Sequence, residues 1–246
     1  MFSNRYIFIF STIMVVVVAV LLALAATALK PFQDQNVRVE KMQYILNSAH
    51  IENTTKDAET LYNQHVFAEY LVNPKGEITG MYSKDEKTGS ARPFDVDFKV
   101  QLKQYNENKS GEFPVYLCAK DADTLYVFPM LGKGLWGPIW GYIALKSDLN
   151  TVEGAVFDHK GETPGLGAEI ATPIFQSQFP GKTIFDKNDS LASIVLVKGG
   201  KSNGLYRPEH DVDAISGGTI TSNGTSKMIK DCLSIYLPFI SKLKKN

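Results

Sequence analysis

The sequence predicts an α+β protein: an N-terminal transmembrane helix followed by a mixed, largely antiparallel sheet domain with packed helices. Three observations carry this. An uncharged apolar run fills residues 6–29. Short β-branched and aromatic stretches recur between turns through the middle of the chain. Apolar residues then return to helical spacing over residues 224–243.

As a helix, the run from Tyr6 to Leu29 spans about 36 Å at about 1.5 Å per residue, enough to cross a hydrocarbon core of roughly 30 Å. Asn4 and Arg5 precede it, and Lys30 and Pro31 close it. A cleaved signal peptide is the competing reading, because Ala23-Leu24-Ala25 and Ala26-Thr27-Ala28 both have the A-x-A form. The run exceeds the roughly 7–15 residues of a signal core, which favours a retained anchor. Arg5 on one side and Lys30, Arg38 and Lys41 on the other leave orientation undecided by charge.

Beyond the anchor, Val37, Val39, Met42, Ile45 and Leu46 have mostly helical spacing and predict a helix over residues 33–49. Residues 51–110 are polar and mixed. Within them, Asn73-Pro74-Lys75-Gly76 is a turn, and the alternation of Phe94, Val96, Phe98 and Val100 predicts a half-buried strand. Further strands are expected at Val115–Cys118, Leu125–Leu131, Ile139–Leu145, Val152–Phe157 and Ile194–Val197. The closing helix carries Met228, Ile229, Cys232, Leu233, Ile235, Tyr236 and Phe239, and Pro238 is expected to bend or end it.

The 246 residues carry 26 basic and 26 acidic side chains, and no basic stripe, so nucleic acid is set aside as a partner. Cys118 and Cys232 form no C-x-x-C; one disulfide is compatible with an oxidising compartment, but two isolated buried thiols are the favoured reading. The histidines show no metal-ligand spacing. Gly132-Lys133-Gly134-Leu135-Trp136-Gly137 matches G-x-G-x-x-G by letter, yet Pro138 and a strand-like run follow where the dinucleotide fingerprint needs a helix. Gly181-Lys182-Thr183 and Gly200-Lys201-Ser202 resemble P-loop endings, but Gln176 and Val195 occupy the earlier glycine position.

Three segments carry the chemistry. Gly132–Leu145 places Leu135, Trp136, Trp140 and Tyr142 in a glycine-rich setting, flat and apolar surfaces on which a planar ring packs. His159–Gly167 (HKGETPGLG) is a glycine- and proline-rich ordered loop that can bring backbone groups against a ring edge. Residues 213–219 read Asp-Ala-Ile-Ser-Gly-Gly-Thr. Gly217 and Gly218 can turn successive N–H groups toward an anion, and Thr221, Ser222 or Asn223 can cap the helix behind them. Thr219 offers a hydroxyl at that anion site. A threonine hydroxyl is a weak nucleophile, so an ester there requires an activated phosphoryl donor and a separate transferase. Each segment alone also fits a plain structural part: a hairpin, a long connection and a capped turn.

Together they resemble the FMN-binding domain family. Asp213 to Thr219 is similar to its D-x-x-[ST]-G-A-T flavinylation motif, and HKGETPGLG to its H-x-x-E-T-P-G-L-G signature. GKGLWGPIWGYIAL, the single anchor and the length resemble the branch of that family found in the Na+-translocating NADH:quinone oxidoreductases. The resemblance spans nearly the whole chain and is weakest over residues 51–110. It implies FMN joined to Thr219 by a phosphoester that a flavin transferase installs. Asp213, Ser216, Gly217 and Gly218 would shape the phosphate end; Leu135 and Trp136, with Glu162, Thr163, Pro164, Gly165, Leu166 and Gly167, would surround the ring. Gly218 stands where the family usually has alanine, which should loosen the loop.

The resemblance further implies one electron-relay subunit among six, in a bacterial inner-membrane complex that couples NADH-to-ubiquinone electron transfer to sodium export. The large domain would be periplasmic, and no NADH site is read in this chain. The organisation expected is an anchor at 1–30, a helical and mixed segment at 31–110, and the FMN-binding domain at 111–246. Two alternatives stay open: the flavoprotein subunit of the related ion-translocating ferredoxin:NAD oxidoreductase, and a non-redox envelope protein.

Overall fold

The computed structural model describes residues 3–245. Its contacts divide into a unit ending at Lys41 and a larger one starting at Met42. Within the first unit, residues 4–41 are helix. Helix α1 (Asn4–Ser48) leaves the apolar side chains between Tyr6 and Leu29 facing outward, none of them buried against protein. The helix does not close at Pro31; it continues unbroken through both A-x-A sites to Ser48. A proline removes one backbone hydrogen bond, and the helical pattern on either side of it carries the helix past that loss.

The larger unit is built on a seven-stranded sheet in the order β3-β2-β1-β4-β5-β6-β7. The strands are β1 (Val66–Val72), β2 (Ile78–Ser83), β3 (Lys87–Thr88), β4 (Phe113–Lys120), β5 (Asp123–Lys133), β6 (Pro138–Leu145) and β7 (Val152–His159), and every neighbouring pair is antiparallel. A parallel pair, β8 (Val195–Val197) with β9 (Asp211–Asp213), makes the whole mixed but largely antiparallel. Both faces of the sheet are covered. Helix α5 (Thr219–Leu243) crosses one face, where the Tyr236 ring lies 4.9 Å from Phe128 and its hydroxyl donates to the Pro114 carbonyl at 2.9 Å. On the other face Tyr116 and Tyr142 meet Phe94 and Tyr44. Burial on both faces explains why β4 reads as a near-continuous apolar run.

Several expectations change. Residues 94–100 form no strand. Phe94 lies in a single 3-10 turn (Pro93–Asp95), and Asp97 caps helix α3 (Phe98–Asn108) by accepting the Lys99 and Val100 N–H groups. The alternation there reflects two separate anchors: Phe94 packs edge-on to Tyr62, and Phe98 edge-on to Phe113. The segment 51–110 also supplies helix α2 (Ala58–His65), β1, β2 and β3. Pro238 does not end α5, because Tyr236, Phe239 and Ile240 are buried on either side of it and hold the helix to the sheet. Both cysteines are buried and free.

Candidate functional site

The site forms where three loops meet the start of α5. The first is the hairpin between β5 and β6, closed by the Gly134 N–H donating to the Gly137 carbonyl at 2.8 Å. No helix follows it, so the G-x-G-x-x-G match is a hairpin turn. Leu135 and Trp136 project from its tip; Trp136 is 70% exposed, an unusual position for a large apolar side chain. Trp140 and Tyr142 lie further along β6 on its other side. Tyr142 is buried and stacks on Tyr44 with centroids 6.0 Å apart, Trp140 is half-buried, and neither ring lines the cavities described below.

The second is the loop after β7. Glu162 turns inward and is 5% exposed. Its Oε1 accepts the Trp136 N–H at 2.9 Å and its Oε2 accepts the Thr221 hydroxyl at 2.6 Å. The Glu162 N–H donates to His159 Nδ1 at 3.1 Å. Burial opposes the carboxylate's charge, but the hydrogen bonds from Thr221, Trp136, Leu135 and Gly137 outweigh it and hold its pKa below the usual glutamate value. Pro164 and Gly165 fall outside the cavities and turn the loop, the Gly165 N–H donating to Glu169 Oε1 at 2.9 Å.

The third is the turn into α5. Gly217 has φ of 73°, a left-handed conformation that suits glycine. The helix therefore begins at Thr219 itself, with Gly218 at the cap position and no side chain capping it. The expected cap from Thr221, Ser222 or Asn223 is absent because these residues are already inside the helix. Thr221 is bonded to Glu162, and Ser222 Oγ accepts the Ile215 N–H at 3.1 Å. First-turn N–H groups without a side-chain cap are suited to an anion. A β-carbon at Gly218 would sit 3.0 Å from the Ile215 side chain, so the alanine usual in the family requires a small shift there.

Thr219 is exposed and lines two cavities, one on each side of it. The first, about 340 Å³, has Leu135, Trp136 and Leu166 as its apolar wall, with Glu162, Thr163, Gly167, Gly217 and Gly218 completing it. The second, about 320 Å³, is more polar and contains Asp213, Ser216, Ser222 and Asn223. Lys198 is its one cation among the described lining residues. The sequence reading missed Lys198; its signal was the glycine pair after it, set aside as a failed P-loop ending. Asp213 shares this cavity with Thr219, while its N–H donates to Gln178 Oε1 at 2.7 Å. β8 is tied to α5 by the Leu196 N–H donating to Ser226 Oγ at 2.9 Å, and Lys198, in the turn directly after β8, lines the same cavity as Thr219.

A 340 Å³ cavity with an apolar wall and few polar groups has the size and character of a small-ligand site. It adjoins an anion-ready helix start that presents a hydroxyl. A planar ring carrying a phosphate tail fits that donor set. Residues 134–234, which span all three loops, match the FMN-binding domain family. Fold, cavity and match together define the class: an FMN-binding-domain protein behind an N-terminal apolar helix. The chain is 33% identical to the C subunit of the Na(+)-translocating NADH-quinone reductase of Pasteurella multocida, covering 92% of this chain and 89% of that one. The corresponding protein of Neisseria meningitidis serogroup A is also 33% identical, over 96% of this chain and 95% of its own. The crystal structure of the corresponding protein from Parabacteroides distasonis superposes with a TM-score of 0.74 at 40% identity, over 87% of this chain and 97% of that one. The chain belongs to the family of C subunits of the Na(+)-translocating NADH-quinone reductases. It is anchored in a membrane by α1.

Proposed function

We propose that this chain is the subunit of a Na+-translocating NADH:quinone reductase complex that carries FMN on Thr219 and relays electrons between partner subunits. The observation that carries this is the position of Thr219. It stands on an uncapped helix start, on the rim shared by an apolar cavity and a polar one. The relatives named as C subunits of that reductase support this reading over the ferredoxin:NAD counterpart.

In this reading Leu135, Trp136 and Leu166 would pack against the flavin ring. The Gly217 turn and the α5 N–H groups hold the phosphate, with Ser216, Asn223 and Lys198 on its other side. When bound, the flavin supplies the electron transfer; the chain supplies position, charge and exclusion of water. Thr219 Oγ1 would be joined to the FMN phosphorus by a separate flavin transferase, which breaks the phosphoanhydride of an activated flavin dinucleotide, releases the nucleoside monophosphate and removes the hydroxyl proton. Residues 111–246 bear the site; residues 31–110 are the helical and mixed segment before it, whose β1 and β2 extend its sheet. The other five subunits are the electron partners. The domain lies on the periplasmic face of a bacterial inner membrane, with residues 1–30 as the anchor.

The test is co-expression of the full chain with a flavin transferase, followed by denaturing electrophoresis. A flavin-fluorescent band that is lost in Thr219→Ala supports the assignment; one that survives in Thr219→Ala overturns it.

A further inference from the structure

Glu162 joins three parts of the chain. Its donors Trp136 and Thr221 are 26 and 59 residues away in sequence. The fold keeps two side-chain-free positions for it. A β-carbon on Gly134 would lie 2.5 Å from Oε1, and one on Gly167 would lie 2.5 Å from Oε2. Apolar residues of similar volume support a core at least as well as a buried charge does. A carboxylate kept charged by four donors in a cavity wall is therefore placed to act through its field and its hydrogen bonds.

We propose that Glu162 is a positioning residue that clamps the Leu135–Trp136 hairpin tip to the first turn of α5 and whose fixed negative charge lowers the reduction potential of a flavin held beside it. This rests on the ring lying in the Trp136-side cavity. Both effects follow from geometry. The Glu162 carboxylate takes donors from the hairpin, at Leu135, Trp136 and Gly137, and from the helix, at Thr221, so losing it frees the wall that carries Trp136. A nearby negative charge disfavours adding electrons to the ring. Neutral glutamine removes the charge and keeps an acceptor oxygen.

The experiment uses the full chain, flavinylated by co-expressed transferase. Loading is read by in-gel fluorescence, potential by spectroelectrochemical titration, and ring exposure by iodide quenching. Glu162→Gln is expected to load flavin as the unmodified chain does and to shift the potential upward. Thr221→Val keeps the charge and removes one donor, so its potential should not rise while its quenching increases. Glu162→Ala should raise quenching several-fold. Should it fail to fold, the Gln and Val variants carry the test. An unchanged or lowered potential in Glu162→Gln overturns the charge role. Unchanged quenching in Thr221→Val overturns the clamp. Failure of the underlying reading is distinct: Trp136→Ala would then leave iodide quenching unchanged, or the unmodified chain would carry no flavin.

Discussion

Replacing Gly167 by alanine probes the packing beneath the cavity directly. Its φ is not left-handed, so the cost of a side chain there is steric. An added β-carbon would lie 2.5 Å from Glu162 Oε2 and 2.5 Å from Thr221 Oγ1. These two atoms share one hydrogen bond of 2.6 Å, so neither can move away without breaking it. A hydrogen bond to a charged group contributes about 1.5–3 kcal/mol. Alanine restores about 0.4–1 kcal/mol by restricting the unfolded chain. The expected net loss is roughly 0.5–2.5 kcal/mol. Near the middle of that range, Tm should fall by about 3–6 °C for a chain of this size. Gly161→Ala is the matched control, because no atom lies within 4 Å of a β-carbon there and its φ is not left-handed either. It should be neutral or stabilising by up to about 1 kcal/mol. Thermal unfolding of the detergent-solubilised full chain, followed by circular dichroism, separates the two. A Gly167→Ala protein melting at or above Gly161→Ala would refute the placement of the Glu162 carboxylate.

Other consequences are as direct. Glu69→Ala should cost about 3–5 kcal/mol in urea unfolding, because it strands Arg92 and leaves the Tyr62 hydroxyl and the Phe94 N–H without their acceptor; a loss below about 1 kcal/mol would contradict the buried pair. Trp136→Ala should leave urea stability within about 0.5 kcal/mol, since the ring is largely exposed, and a larger loss would place Trp136 in the fold's support. Burial opposes the charge of Glu153, but Lys120, Lys146 and His50 outweigh it and hold its pKa below the usual value. Its contribution is therefore present above the unfolded glutamate pKa and is lost as pH falls through the folded one. Glu153→Gln should accordingly be less stable than the unmodified chain at pH 7 by up to about 1 kcal/mol, with the gap closing as pH falls below the ordinary glutamate range. A gap that widens toward acid would reverse that sign.

The parts legible in the sequence are those whose signal is local. The anchor is one uninterrupted apolar run, and β4 to β7 are short apolar stretches between turns. The turn into a helix at Thr219 was legible because a glycine pair stands directly before a helical pattern. What stayed hidden depends on distant partners. β1 holds Glu69 at its centre, and Arg92, 23 residues on, with the Tyr62 hydroxyl and the Phe94 N–H, makes a charge acceptable there. The alternation at residues 94–100 gave a false strand because periodicity cannot see that Asp97 opens a helix. Trp140 and Tyr142 look as suited to a ring as Leu135 and Trp136. Only the hairpin's geometry sends the first pair along the sheet and the second into the cavity. The inward turn of Glu162 depends on donors from two other segments, so its motif marked the loop without revealing what the carboxylate does.

The most direct test of the account is peptide mass mapping of the protein purified from its own host. The peptide containing Thr219 is expected to carry the mass of FMN less one water, and Thr219→Ala protein none. An unmodified Thr219 peptide, or the same added mass on a different peptide, would contradict it.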